Sequence, residues 1–215
     1  MTPFHILHVC VANICRSPMA EWLTRQEIGE RLGPAGAAFV VSSAGTRGHA
    51  GSPMHHHGAG VLRSVGVEPD GFVARVLTAD LLRGADLVLT ATTVERDQAV
   101  ELLPAALNRT FTLLEFARLL AAVPADLAGP PADLAAPSAD PAERGRRTVV
   151  LARRMRGRLP YVDPSVDDLA DPVRTPEGFR RCLLSAAPAV ATIIAALGGE
   201  GAPVSALGGT RGASA

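Results

Sequence analysis

The residues best suited to chemistry lie near the start of the chain, in the run Val9-Cys10-Val11-Ala12-Asn13-Ile14-Cys15-Arg16-Ser17-Pro18. A cysteine and an arginine stand there with five residues between them, and a serine and a proline follow at once. Before the run, Phe4 to Val9 are mostly apolar and read as a buried strand. After it, Ser17 is a good helix N-cap, Pro18 is tolerated in a first turn, and Met19, Ala20, Glu21 and Leu23 favour a helix. A strand, a tight loop and a helix start aim backbone amides and a helix dipole at one small volume. Such a volume favours the thiolate of Cys10 over its thiol. Arg16 adds a planar, permanently charged fork that matches two oxygens of a phosphoryl group. The chemistry predicted is attack of sulfur on phosphorus, giving a cysteinyl-phosphate. A buried structural cysteine beside a surface arginine is the plain alternative. It leaves the joint spacing of Cys, Arg, Ser and Pro unexplained.

The stretch resembles the signature V-C-x-x-N-x-C-R-S-P-x-A-E of the low-molecular-weight protein tyrosine phosphatase family. Val9, Cys10, Asn13, Cys15, Arg16, Ser17, Pro18, Ala20 and Glu21 match it. The resemblance covers roughly residues 4–122 and 160–197. It implies Cys10 as nucleophile and Arg16 as phosphate clamp, with Val11, Ala12, Asn13, Ile14 and Cys15 forming the phosphate-binding loop. It also implies Ser17 as the hydroxyl that stabilises the leaving thiolate and Asn13 as a buttress of the loop. Val40-Val41-Ser42-Ser43-Ala44-Gly45-Thr46 resembles the family's second strand and turn, where a serine reaches under the loop. Ser43 takes that place, although a serine that merely ends a strand reads equally well. The implied substrate is a tyrosine-phosphorylated protein, with a tyrosine kinase as a further partner and no cofactor or metal.

Expelling a phenoxide calls for a general acid, and hydrolysing the thiophosphate calls for a general base; one carboxyl group can serve as both. Three Asp-Pro pairs offer one: Asp140-Pro141, Asp163-Pro164 and Asp171-Pro172. The third closes the run Val166-Asp167-Asp168-Leu169-Ala170-Asp171-Pro172 ahead of a final helix. The family places its acid in a similar D-D-I-x-D-P stretch, so the resemblance assigns Asp171, with Asp163 next.

Three positions depart from the family pattern. Phe72 stands where a histidine is usual in the family, which implies that one hydrogen-bonding member of the loop-supporting network is absent or replaced. Val173, and the rim near His49, stand where aromatics are common, so a ring-stacking slot is not evident. Cys15 reads either as a redox partner of Cys10 or as a small apolar residue beneath the loop. Cys182 reads as buried and inert. His55-His56-His57 lack further ligands at metal-binding spacing and read as a solvated helix start.

The elements that must position these residues alternate: strand 4–9, helix 17–32, strand 38–42, helix 54–65, short strand 72–76, helix 78–83, strand 86–90, helix 93–102, strand 109–112, helix 113–122 and a closing helix 176–197. This pattern predicts a three-layer α/β/α fold on a central, mostly parallel four-stranded sheet. By resemblance it is flavodoxin-like, of the phosphotyrosine phosphatase I type. Sites in such sheets lie at the carboxyl ends of strands, where Cys10 falls. The expected organisation is one phosphatase domain, 1–198, with an insertion at about 123–160 and a disordered tail, 199–215. Within the insertion, residues 143–158 carry seven arginines against one glutamate and read as a solvated basic helix.

Composition bounds the rest. The chain has 215 residues, zero formal net charge and 47% hydrophobic content, which suits one soluble domain without a global pull toward nucleic acid or membrane. Its three cysteines form no disulfide framework, no leader is evident, and no apolar run reads as long enough to span a bilayer, so a cytoplasmic protein is expected. All 21 basic residues are arginine, which removes Schiff-base and Walker A lysines. Two other functions could use the loop: arsenate reduction with a small-thiol reductant, and non-catalytic binding of phosphoproteins.

Overall fold

The computed structural model describes residues 2–124 and 140–198. Residues 125–139 of the expected insertion and the expected tail at 199–215 lie outside the described residues.

Four strands form the sheet: β1 (Phe4–Cys10), β2 (Phe39–Gly45), β3 (Leu87–Thr90) and β4 (Thr110–Thr112). Their order is β2-β1-β3-β4, and every pairing is parallel. Alternation along β1 sorts side chains onto two faces. Phe4 and Ile6 join the larger apolar cluster, beneath α1 (Arg16–Leu32), α5 (Leu113–Ala121) and the last described helix. Leu7 and Val9 join the smaller one, beneath α3 (Ala79–Gly84) and α4 (Thr93–Leu102). A short α2 (His56–Arg63) precedes these. The molecule therefore has three layers.

Two further helices complete the described residues: α6 (Pro141–Met155) and α7 (Pro176–Ala196). α6 is more than a solvated basic helix. It starts at Pro141, capped by Asp140, whose carboxylate accepts the Ala142 N–H at 3.1 Å. It buries Ala142, Gly145, Thr148, Val149, Ala152 and Met155, and a side chain at Gly145 would strike the Phe4 ring. Its arginines are partly spent on the protein itself: Arg146 pairs with Asp86 at 3.3 Å, and just beyond the helix Arg156 lies over the Phe111 ring at 3.9 Å. α7 has the length and apolarity to cross a bilayer, contrary to the sequence reading. Here Phe179, Leu183, Ala186, Val190, Ile193 and Ile194 face the core.

The short strand expected at 72–76 does not form; only an isolated Gly45–Val76 bridge remains. The segment spends its backbone groups on the loop region instead. Arg75 C=O accepts from Gly45 N–H, Leu77 N–H donates to Gly45 C=O, and Arg75 N–H donates to the Asn13 side chain.

Candidate active site

Cys10 ends β1, and the chain then winds in a loop to the start of α1 at Arg16. Four of the loop carbonyls point away from the sulfur and are held by the segment after β2. Thr46 N–H donates to Cys10 C=O at 2.9 Å, Arg47 N–H to Val11 C=O at 2.8 Å, His49 N–H to Ala12 C=O at 3.0 Å and His55 N–H to Ile14 C=O at 2.8 Å. In a trans peptide the N–H points opposite to the C=O. Turning these carbonyls out therefore turns the amides of Val11, Ala12, Asn13 and Cys15 inward. One is seen directly: Asn13 N–H donates to Cys10 Sγ at 3.3 Å. Close packing makes the winding possible, because a Cβ on Gly45 would lie 2.6 Å from Val11 O.

Asn13 is buried and has φ +57, the left-handed conformation that asparagine tolerates better than most residues. All its side-chain groups are bonded. Oδ1 accepts the Arg75 N–H at 2.9 Å, which fixes the amide orientation, and Nδ2 donates to Ser17 Oγ at 2.9 Å and to Ser43 Oγ at 2.7 Å. Ser43 in turn donates to Glu21 Oε2 at 2.6 Å, and Arg25 pairs with Glu21 at 2.6 Å. Ser17 accepts from Asn13, and its own proton has two acceptors in reach, Cys10 Sγ at 3.0 Å and the more distant Ala44 C=O at 3.5 Å. The bonds thus diverge from the Asn13 amide, one arm running through Ser43 to Glu21 and the other to Ser17 beside the sulfur. Burial pushes the Glu21 carboxyl up from its ordinary value, against the pull of Ser43 and Arg25.

One expectation needs correction. Ser17 is not the N-cap: the helix starts at Arg16, its capping position is Cys15 without a side-chain bond, and the Ser17 hydroxyl serves Cys10 instead. Phe72 stands where a hydrogen-bonding side chain is usual, and Asn13 keeps its own partners. Phe72 packs against the apolar core, and the Arg75 amide and Ser43 satisfy Asn13.

Arg16 is buried, with its guanidinium hydrogen-bonded to a carbonyl and a carboxylate and ion-paired, without hydrogen-bond geometry, with a second carboxylate. Nη1 donates to Leu169 C=O at 3.2 Å, Nη2 to Glu95 Oε1 at 3.4 Å, and Nε lies 3.2 Å from Asp171 Oδ1. Asp171 is 75% exposed on its side chain, so a carboxyl group open to water sits beside the clamp. Asp163 is engaged elsewhere. It caps the turn Pro164–Asp167, where hydrogen bonds from Ser165 hold its carboxyl below the usual range. Val173 is exposed two residues beyond Asp171, and its backbone lies against Gly178, where a Cβ would collide with Val173 O. His55 stacks on Phe179 at 4.7 Å. Burial pushes the Cys15 thiol up to about 11 and the Cys182 thiol up to about 12. Sequence reasoning missed Glu95 and the end of the relay at Glu21; the signature's own glutamate was the one available signal for the latter.

A sequence model of the low molecular weight phosphotyrosine protein phosphatases matches residues 5–136. The low molecular weight protein-tyrosine-phosphatase Ptp of Acinetobacter johnsonii is 32% identical over 109 residues, 51% of this chain and 71% of that protein. The low molecular weight protein-tyrosine phosphatase A of Mycobacterium bovis is 45% identical over 89 residues, 39% of this chain and 53% of that protein, so the match spans about half of that relative. Among solved structures, the YwlE arginine phosphatase of Geobacillus stearothermophilus superposes with a TM-score of 0.57 at 25% identity, over 91% of this chain and 90% of that one. The chain belongs to the low-molecular-weight protein tyrosine phosphatase family.

Proposed function

We propose that the chain hydrolyses phosphotyrosine in proteins through a cysteinyl-phosphate, with Cys10 as nucleophile, Arg16 as clamp and Asp171 as acid and base. The observation that carries this reading is the convergence on Cys10 Sγ of the Asn13 amide and the Ser17 hydroxyl, with Arg16 and Asp171 paired nearby. The matched residues end at 136, so the role of Asp171 rests on its distance to Arg16. In the first step Cys10 thiolate attacks phosphorus, the P–O bond to the phenol breaks, and the Asp171 proton passes to the departing phenolate. In the second, Asp171 carboxylate takes a proton from water, the hydroxide oxygen bonds phosphorus, and the P–S bond breaks. Cys10 leaves as thiolate under the Ser17 hydroxyl, and inorganic phosphate is released. Inward-facing amides of Val11, Ala12, Asn13 and Cys15 hold the equatorial oxygens.

The reaction needs a tyrosine kinase to form its substrate and a reducing compartment to keep Cys10 free, which supports work in the cytoplasm. Arsenate reduction through a relay of protein thiols is less well supported, since burial disfavours the thiolates of Cys15 and Cys182; reduction by a small thiol needs neither, and an arsenate assay with such a thiol tests it. The test is turnover of p-nitrophenyl phosphate and of matched phosphotyrosine and phosphoarginine peptides. Cys10→Ser should abolish all turnover, and the wild type should favour the phosphotyrosine peptide. Full activity in Cys10→Ser would end the mechanism; a preference for phosphoarginine would reassign the substrate. Asp171→Asn should slow turnover strongly and Asp163→Asn should not.

A further inference from the structure

The segment that carries Asp171 is fastened at three consecutive residues. Asp167 is buried and takes two hydrogen bonds from Arg118, at 2.9 and 2.6 Å, while its carbonyl accepts the Thr112 hydroxyl at 2.5 Å. Asp168 reaches the first turn of α4, where one carboxylate oxygen accepts the Thr93 N–H at 2.7 Å and the other accepts the Thr93 hydroxyl at 3.4 Å. Leu169 is held through both backbone groups, its N–H by Ala91 C=O at 2.7 Å and its C=O by Arg16 at 3.2 Å.

The middle fastening is the unusual one. The N-cap of α4 is Thr92, but its hydroxyl donates to Glu95 rather than accepting from a free amide of the first turn. Asp168 accepts from that turn instead, from 75 positions along the chain. Glu95, in the same turn, holds Arg16 at 3.4 Å. One helical turn, Thr92 to Glu95, therefore fixes the phosphate clamp on one side and the proton donor on the other. An ordinary cap would need no residue from the acid-bearing segment.

We propose that Asp168 is a positioning residue for proton transfer: its bond to the Thr93 amide sets the distance from Asp171 to the leaving oxygen. This rests on reading Asp171 as the acid. A misplaced donor matters only where the leaving group needs its proton. Phenolate is a poor leaving group and needs it; dinitrophenolate leaves without it. Phosphate binding and sulfur attack are needed for both esters, so a general loosening of the site would slow both alike.

The test compares kcat/KM, which reports the first chemical step, for phenyl phosphate and dinitrophenyl phosphate. Asp168→Ala should slow phenyl phosphate roughly 30- to 100-fold and dinitrophenyl phosphate less than about threefold. Asp168→Asn, which can accept the same amide bond, should restore the wild-type profile. Thr93→Pro removes the donor at a helix position where proline is favoured, so it should reproduce the Ala profile even if Asp168→Ala folds poorly. The double variant Asp168→Ala, Asp171→Asn should be no slower on phenyl phosphate than Asp171→Asn alone. Equal losses on both esters, or losses that multiply in the double variant, would overturn the proposal. If the wild type turned over neither ester, the phosphatase reading itself would fail. If Asp171→Asn showed the leaving-group signature and the Asp168 and Thr93 variants did not, only this inference would fall.

Discussion

At the scale of single residues, the site depends on which way each hydrogen bond runs. The Arg75 amide on Asn13 Oδ1 fixes the carboxamide, so Nδ2 must donate to Ser17 and Ser43. Ser17 then accepts from Asn13, and of the two acceptors for its own proton Cys10 Sγ, at 3.0 Å, is nearer than the Ala44 carbonyl at 3.5 Å. A hydroxyl that donates to sulfur stabilises negative charge there, and that charge returns when the P–S bond breaks. Ser17→Ala should therefore slow breakdown of the cysteinyl-phosphate more than its formation, by roughly 10²-fold, the loss seen for a single oxyanion donor. Rapid-mixing kinetics with p-nitrophenyl phosphate should show a burst of phenolate followed by a slow steady state; a slowed burst with an unchanged steady state would contradict this. Much of this scale was legible in the sequence because Cys10, Asn13, Arg16 and Ser17 fall within eight positions, and a local run carries its own geometry. Glu95 was not legible. Its link to Arg16 spans 79 positions and depends on where two helices start.

At the scale of elements, the catalytic loop is less a free turn than an edge bound to its neighbours. Four backbone bonds from residues 46–55 hold it, and the segment expected as a strand at 72–76 gives up its ladder to support them. Hydrophobic pattern showed that segment as extended, but it could not show that its amides would serve Asn13 and Gly45. Similarly, the arginines of 143–158 masked the apolar stripe that packs α6 onto Phe4. The repeating strands and helices were read well because alternation and helical periodicity are local. Gly45 is where this scale can be tested. A methyl group there would press on Val11 O at 2.6 Å, against backbone that cannot rotate away. Gly45→Ala should cost about 1–3 kcal/mol of stability, the usual range for overpacking. Activity should fall further than that suggests, roughly 10²-fold, since the displaced atoms are the phosphate cradle itself. Urea unfolding and kcat/KM on one preparation would separate the two; full activity with lowered stability would mean that the loop is not positioned by this contact.

For the whole molecule, the central strand carries an ionisable group that the reaction does not use. His8 is buried two residues before Cys10, facing α1, with Nε2 3.0 Å from Thr24 Oγ1. Burial lowers its pKa from 6.5 to about 3, so the folded protein keeps the ring neutral throughout the mildly acidic range. In the unfolded chain the same ring takes up a proton as pH falls below about 6.5. Between these values the unfolded state binds more protons, and stability must fall as pH is lowered. The contribution of His8 is fully present near neutrality, has dropped by about 2 kcal/mol at about pH 5, and continues to fall until the folded ring titrates. Glutamine at this position keeps a polar group for Thr24 but cannot take up a proton there. His8→Gln should be the less stable protein at neutral pH, through imperfect packing, yet the gap to wild type should close by about 2 kcal/mol between neutrality and about pH 5. Urea titrations at several pH values measure that gap directly. Curves that stay parallel for the two proteins would mean that His8 is protonated in the fold, and acid sensitivity would then have to be sought among other groups.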